Sequence, residues 1–173
     1  MNEVLNCLET RRSVRKYLPK QIADAELNAI LEAGIYAPTA MGRQSPKIVV
    51  LQKPEDVAEL ERMNAAVLGN PDSHPFYGAP TVLVVLADAK AGTAVEDGSL
   101  VLGNLMNAAH ALGVGSCWIH RAREEFASDE GKALLKRWGI EGAWVGVGHC
   151  ILGYAAEPAA PAKPRKADYI VRV

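Results

Sequence analysis

The feature that most constrains this chain is its longest helical pattern, residues 94 to 112. From Leu100 onward Leu, Val, Met, Ala and Gly occupy nearly every side of the wheel, interrupted by Asn104, Asn107 and His110. A helix apolar almost all round is buried on more than one face. With 173 residues the chain is of single-domain length, enough for one sizeable core. In so small a chain, part of the helix's burial is expected to come from a second subunit. Gly113 supplies a C-terminal cap.

The other elements are expected around this helix. Val4, Leu5 and Leu8 recur at helical spacing after Asn2, and a basic segment at 11 to 16 ends that short helix. Asp24 is a good N-cap for a second helix with Leu27, Ile30, Leu31 and Ile35 on one face, stopped by Pro38. After the turn-rich loop 39 to 46, Ile48 to Leu51 reads as a buried strand. Pro54 suits the first turn of a third helix carrying Val57, Leu60 and Met63. Thr81 to Leu86, β-branched, continuous and bounded by Pro80 and Asp88, is the clearest strand.

A short strand is expected at Ser116 to Ile119, and one helix from about Ser128 to Trp138, capped by Gly139. Val145 to Leu152 reads as the last core strand, with glycines where something packs close. Residues 155 to 164 are rich in Ala and Pro and should run as an extended arm. Alternation at Tyr169, Val171 and Val173 ends that arm in a strand, which needs a sheet edge and could reach a partner's. The chain therefore reads as one domain, 1–173, with 155–173 as its arm.

Composition narrows the function classes. The apolar fraction is 49% and the charged fraction 23%, which sets aside disorder and collagen-like folds. The formal net charge is −1, so no whole-protein field attracts nucleic acid or an anionic membrane, and any anion site must be a local cluster. Three cysteines, Cys7, Cys117 and Cys150, cannot make a disulfide framework. The first residues lack the basic and then apolar run of a signal peptide, and apolar stretches are strand-sized. A cytoplasmic protein without membrane or nucleic-acid partners is expected.

Two local clusters do carry charge. Arg11, Arg12, Arg15 and Lys16 place four cations within six residues, with Ser13 among them. Guanidinium forks bind phosphate bidentately and a hydroxyl adds a neutral donor, although a bare basic run is more often a solvated surface. Lys163-Pro164-Arg165-Lys166 forms the second cluster, its spacing stiffened by proline. Together they make a shared phosphate plausible.

Four segments in register resemble the nitroreductase family. They are Arg11-Arg12-Ser13-Val14-Arg15 after the first helix, the loop Ala37-Pro38-Thr39-Ala40-Met41-Gly42-Arg43-Gln44, the turn Ala111 to Ile119, and Gly153-Tyr154 with the Pro-rich arm and Lys163-Pro164-Arg165. The resemblance implies an α+β, three-layer α/β/α fold with a mixed, mostly antiparallel sheet flanked by helices. It also implies a homodimer that exchanges the C-terminal strand and binds FMN at the subunit interface.

Carried over by position, it puts Arg11, Ser13, Lys163 and Arg165 around the FMN phosphate. Arg12 and Arg15 would reach the ribityl chain and the pyrimidine edge, where reduced flavin carries negative charge. Backbone groups from Cys117 to Arg121 would lie near N5, with Trp118 and Ile119 as apolar support and His120 at the flavin's edge. Thr39 and Gln44 would serve the interface site, and Asn64 the ring's amide edge. The implied chemistry is electron transfer from NAD(P)H through flavin N5 to nitroaromatic, quinone or activated-alkene acceptors in ping-pong order, with no general acid required.

Two departures fall on the substrate pocket. Gly42 stands where many members have Asn, and Gln44-Ser45-Pro46 where many have Gln-Pro-Trp. Little insertion is left to build a substrate lid. These departures keep open a related flavin chemistry (fragmentation, reductive dehalogenation or ring dehydrogenation), and the charge clusters alone would also suit a non-catalytic anion-binding dimer. A zinc site at Cys117-x-x-His120 and His149-Cys150 is disfavoured, because adjacent strand residues point to opposite faces.

Overall fold

A computed structural model describes residues 2–173 of the chain; Met1, at the head of the segment compared with a signal peptide, lies outside the described residues. Helix α1 spans Glu3–Thr10 and is capped by Asn2, whose side-chain oxygen accepts from Val4 N and Leu5 N. Helix α2 is Asp24–Ile35. Its cap position is Ala23 rather than Asp24: the Glu26 carboxylate reaches back to accept from Ala23 N at 2.9 Å, and Asp24 instead adds charge to the first turn. Strand β1 is Pro46–Leu51, and α3, Pro54–Leu68, begins on its proline as expected. Strand β2 is Thr81–Asp88, α4 Ala94–Ala111 and β3 Gly115–Ile119.

Beyond β3 the sequence predicts one helix, and the structure has two. Helix α5, Ala122–Ala127, precedes α6, Asp129–Arg137. Ser128 divides them, its hydroxyl donating to Glu125 O and accepting from Gly131 N. Strand β4, Trp144–Gly153, completes the sheet.

The sheet order is β1-β2-β4-β3, and all three strand pairings are antiparallel. The single parallel pairing among the described residues is the isolated bridge Ser13–Ser116. Strand β2 sits centrally, and its continuous apolar run follows from burial on both faces. Leu83, Val85 and Ala87 pack with α2 and α4, while Val82, Val84 and Leu86 pack with α3, α5 and α6. These two cores make the three layers. β1 is an edge strand and only partly buried, with Val50 exposed, unlike the buried strand expected there.

The glycines of β4 permit close approach. A Cβ on Gly146 would stand 2.0 Å from Ala122 O, so α5 lies directly on the strand. One on Gly148 would stand 2.7 Å from Trp118 Nε1. The polar interruptions of α4 anchor its neighbours: Asn104 Nδ2 donates to Ala33 O on α2 (2.9 Å), and His110 Nε2 pairs with Thr10 Oγ1 on α1 (2.9 Å).

Large apolar side chains nevertheless stay exposed on this side. Helix α1 buries no residue, and Val4, Leu5, Leu8, Leu100 and Leu112 face solvent, as does Ile35, which the helical pattern placed on the inner face of α2. After a bridge from Ala155 to Tyr17 the arm is exposed and has no regular structure apart from a turn at Ala167–Asp168, where Tyr169 N donates to Lys166 O. Residues 169–173 form no strand within the chain, and Tyr169, Ile170, Val171 and Val173 are all exposed. No helix among the described residues is long and apolar enough to cross a membrane.

Candidate functional site

The basic segment leaves α1 and enters the sheet's edge. Val14 N donates to Ser116 O at 2.9 Å, and Tyr17 O–H donates to Val14 O at 2.8 Å. Leu18 N then donates to Tyr154 O and Ala156 N to Lys16 O, both at 2.9 Å, so residues 11 to 18 lie between β3 and the start of the arm. Burial drives the phenol of Tyr17 far above its ordinary range. It is a fixed hydrogen-bond donor at working pH.

Within this segment the arginines divide. Arg11 is half-buried, and its Nη1 is buried with no hydrogen-bond partner among the described residues. An unpaired buried guanidinium nitrogen is costly, and an anion placed against it would satisfy it. Arg12 folds back on its own helix, with Nη1 donating to Glu9 O (2.8 Å) and Arg11 O (2.7 Å), so it caps α1. Arg15 is exposed. Burial, then the nearby Arg11 and Arg12 charges, hold His110 below its ordinary pKa.

The loop after α2 is held from below. Asp97, at the start of α4, is buried; its carboxylate accepts from Ala40 N (3.0 Å), Ser45 Oγ (2.9 Å) and Thr93 Oγ1 (3.2 Å). Gln44 N in turn donates to Thr39 Oγ1 at 3.0 Å. Three residues of positive φ, Met41 (56°), Gly42 (65°) and Gln44 (51°), are thereby fixed, only Gly42 without steric penalty. Thr39 and Gln44 line a cleft of about 330 Å³ with Leu31, Pro46, Ile48 and Val101.

The Ala40 N–H is the largest cause that holds the Asp97 carboxyl below its usual value of 3.8. Its folded pKa being depressed, the stabilisation is present above pH 3.8 and is lost as pH falls through the folded value. Asp97→Ala is expected to cost about 2–4 kcal/mol at pH 7. Urea unfolding at pH 7 and in strong acid checks it, since the gap between variant and parent should close in acid.

At the other end of β3, Trp118 packs toward α4 while Cys117 and Ile119 pack toward α3 and α5. His120 is exposed, and Arg121 adopts φ +82° and ψ 0°, a left-handed conformation costing a non-glycine residue about 1 kcal/mol or more. Beneath this turn lies a polar cluster that sequence reading missed. Arg121 Nε donates to Asn64 Oδ1 (3.0 Å), and Asn64 Nδ2 donates to His120 O (2.8 Å) and to the Glu125 carboxylate. The other Glu125 oxygen lies 2.6 Å from His149 Nε2.

Asn64, Glu125 and His149 are fully buried. Both ends of the amide of Asn64, the candidate for a ring's amide edge, serve the protein. His149 faces Phe76 and Phe126, whereas Cys150 joins the opposite core, so the two adjacent residues do diverge. Lys163 and Arg165 are exposed, and no hydrogen bond or ion pair among the described residues joins either to Arg11 or Ser13.

The fold and this site define an α/β/α protein with a half-buried arginine in the segment paired at the start of β3 and a left-handed turn beyond its end. The chain belongs to the nitroreductase family, whose model matches residues 8–77 and 70–154. It is 34% identical to a Bacteroides fragilis nitroreductase crystallised with bound FMN, with a TM-score of 0.91 and complete coverage of both chains. A Desulfitobacterium hafniense nitroreductase with bound FMN is 29% identical at TM-score 0.89, covering 100% of this chain and 99% of that one. A Methanothermobacter thermautotrophicus protein with the provisional name NADH dehydrogenase/NAD(P)H nitroreductase is 30% identical over 124 residues, 67% of this chain. The match spans 60% of that relative's length.

Proposed function

We propose that this protein is an NAD(P)H-dependent FMN oxidoreductase that reduces nitroaromatic, quinone or activated-alkene acceptors in ping-pong order. The observation that carries the reading is the buried Nη1 of Arg11, which has no hydrogen-bond partner among the described residues and fits a phosphate. The FMN-bound relatives at 34% and 29% identity support the cofactor, and the reductase name of the archaeal relative supports the reductant.

When bound, FMN would supply the chemistry, accepting a hydride from reduced nicotinamide and passing electrons to the acceptor. The residues contribute binding, charge placement and exclusion of water. Arg11 and the Ser13 hydroxyl would hold the phosphate, joined by Lys163 and Arg165 once the arm is seated. Arg15 would place positive charge by the pyrimidine edge, while Arg12 keeps the end of α1 closed. Trp118 and Ile119 give apolar backing, and Thr39 and Gln44 form the rim facing a second subunit.

A homodimer is part of the reading. It would cover Val4, Leu5, Leu8, Leu100 and Leu112, give α4 the second buried face its pattern demands, and seat residues 169–173.

The expected result is a yellow protein, or a colourless one that takes up added FMN, and that oxidises NADH or NADPH in the presence of a simple quinone. Absorbance spectra, then anaerobic reduction with each nucleotide and reoxidation by a panel of acceptors, test it. A pure, folded chain that takes up no FMN would refute the proposal.

A further inference from the structure

We infer that the buried set Asn64–Glu125–His149 is a positioning device that fixes the 120–121 peptide so that the Arg121 N–H is aimed at the flavin ring; this rests on the FMN reading above. Each member comes from a different element: Asn64 from α3, Glu125 from α5 and His149 from β4. The amide of Asn64 can take only one orientation. Arg121 only donates and the His120 carbonyl only accepts, so Oδ1 faces the guanidinium and Nδ2 faces the carbonyl. Glu125 takes the second Nδ2 proton and is itself held by His149, a ring wedged between Phe76 and Phe126 at centroid distances of 5.5 and 6.4 Å.

The geometry of one trans peptide does the rest. Its carbonyl and N–H point in opposite directions. With His120 O drawn inward onto Asn64, the Arg121 N–H is turned outward, and it makes no hydrogen bond among the described residues. The left-handed φ of +82° is what allows this reversal, and the Nε bond to Asn64 holds a non-glycine residue there. Directly after the turn, the start of α5 is seated against β4 at Gly146, where a Cβ would stand 2.0 Å from Ala122 O. A fixed donor facing a ring that gains negative charge on reduction stabilises the reduced form.

The test compares Asn64→Leu, Arg121→Ala and Arg121→Gly with the parent holoprotein. Asn64→Leu and Arg121→Ala are expected to keep FMN, with the dissociation constant raised less than about tenfold. The two-electron reduced flavin should be destabilised about tenfold, lowering the midpoint potential by about 30 mV. The kcat for NAD(P)H oxidation should fall while its KM stays within roughly twofold. Arg121→Gly should restore most of the potential, because glycine adopts a positive φ without the side-chain tether.

A role confined to stability would lower Tm and leave potential and spectrum unchanged, and that result overturns the inference. So does Arg121→Gly behaving like Arg121→Ala. If Asn64→Leu fails to fold, the two substitutions at half-buried Arg121 decide the matter alone. A parent protein that takes up no FMN defeats this inference together with the FMN reading, whereas a normal flavin enzyme with unshifted variants defeats only the positioning role.

Discussion

Arg11→Ala is expected to raise the dissociation constant for FMN by two to three orders of magnitude while leaving the apoprotein as stable as the parent or more so. Arg11 Nη1 is buried without a partner, so the folded chain carries its desolvation cost unrelieved. A phosphate removes that cost and adds charge-assisted bonds of about 1.5–3 kcal/mol each, and losing two at the weaker end of that range, about 3–4 kcal/mol, accounts for the expected change. Removing the side chain also frees the apoprotein of an unpaired buried donor, which is why its stability should not fall. Arg12→Ala provides the contrast. Its Nη1 caps Glu9 O and Arg11 O, so its loss should weaken α1 and move FMN affinity much less. Flavin fluorescence titration and thermal unfolding of the apoproteins measure both quantities, and an Arg11→Ala protein that binds FMN as the parent does would exclude Arg11 from the phosphate site.

The difference between these neighbours marks where sequence reading stops. A cluster of four cations within six residues pointed to an anion site, and it is the segment that enters the sheet edge at Ser116. Which guanidinium turns inward is set by the exit angle of α1, a tertiary matter. Strong periodicity made α4 and β2 legible, because their side-chain patterns follow directly from burial on both sides. Helix α5 was not, being six residues long, rich in charge and entered through a left-handed arginine without a side-chain cap. The cluster beneath it was hidden for the same reason: Glu125 lies 61 residues from Asn64 and 24 from His149, and only packing joins them. The one available signal was Glu125 itself, an acid between the apolar positions Ala122 and Phe126. Asp24, by contrast, misled at a distance of one residue, because Glu26 supplies the cap interaction from inside the helix.

Deleting residues 158–173 is expected to abolish the proposed homodimer and its FMN binding, leaving a monomer or an insoluble chain. The cut keeps every interaction that pins the start of the arm: the Tyr17–Ala155 bridge, Ala156 N to Lys16 O, and the Lys16–Glu157 ion pair at 2.9 Å. The residues removed are exposed throughout, so the domain itself loses no packing. They do include Tyr169, Ile170, Val171 and Val173, four large exposed apolar side chains, and β1 offers an unpaired sheet edge. Burying four such side chains on a second subunit is worth about 6–12 kcal/mol gross per arm before ordering costs, enough to decide an assembly. The cut also removes Lys163 and Arg165, which carry half of the proposed phosphate cluster. Ultracentrifugation reads the mass and flavin titration reads the site. Lys163→Ala/Arg165→Ala in the full chain separates the two effects: it should weaken FMN binding and leave the dimer intact. A truncated chain that stays dimeric and yellow would show instead that the arm is a tail, and that both subunit contact and phosphate binding are complete without it.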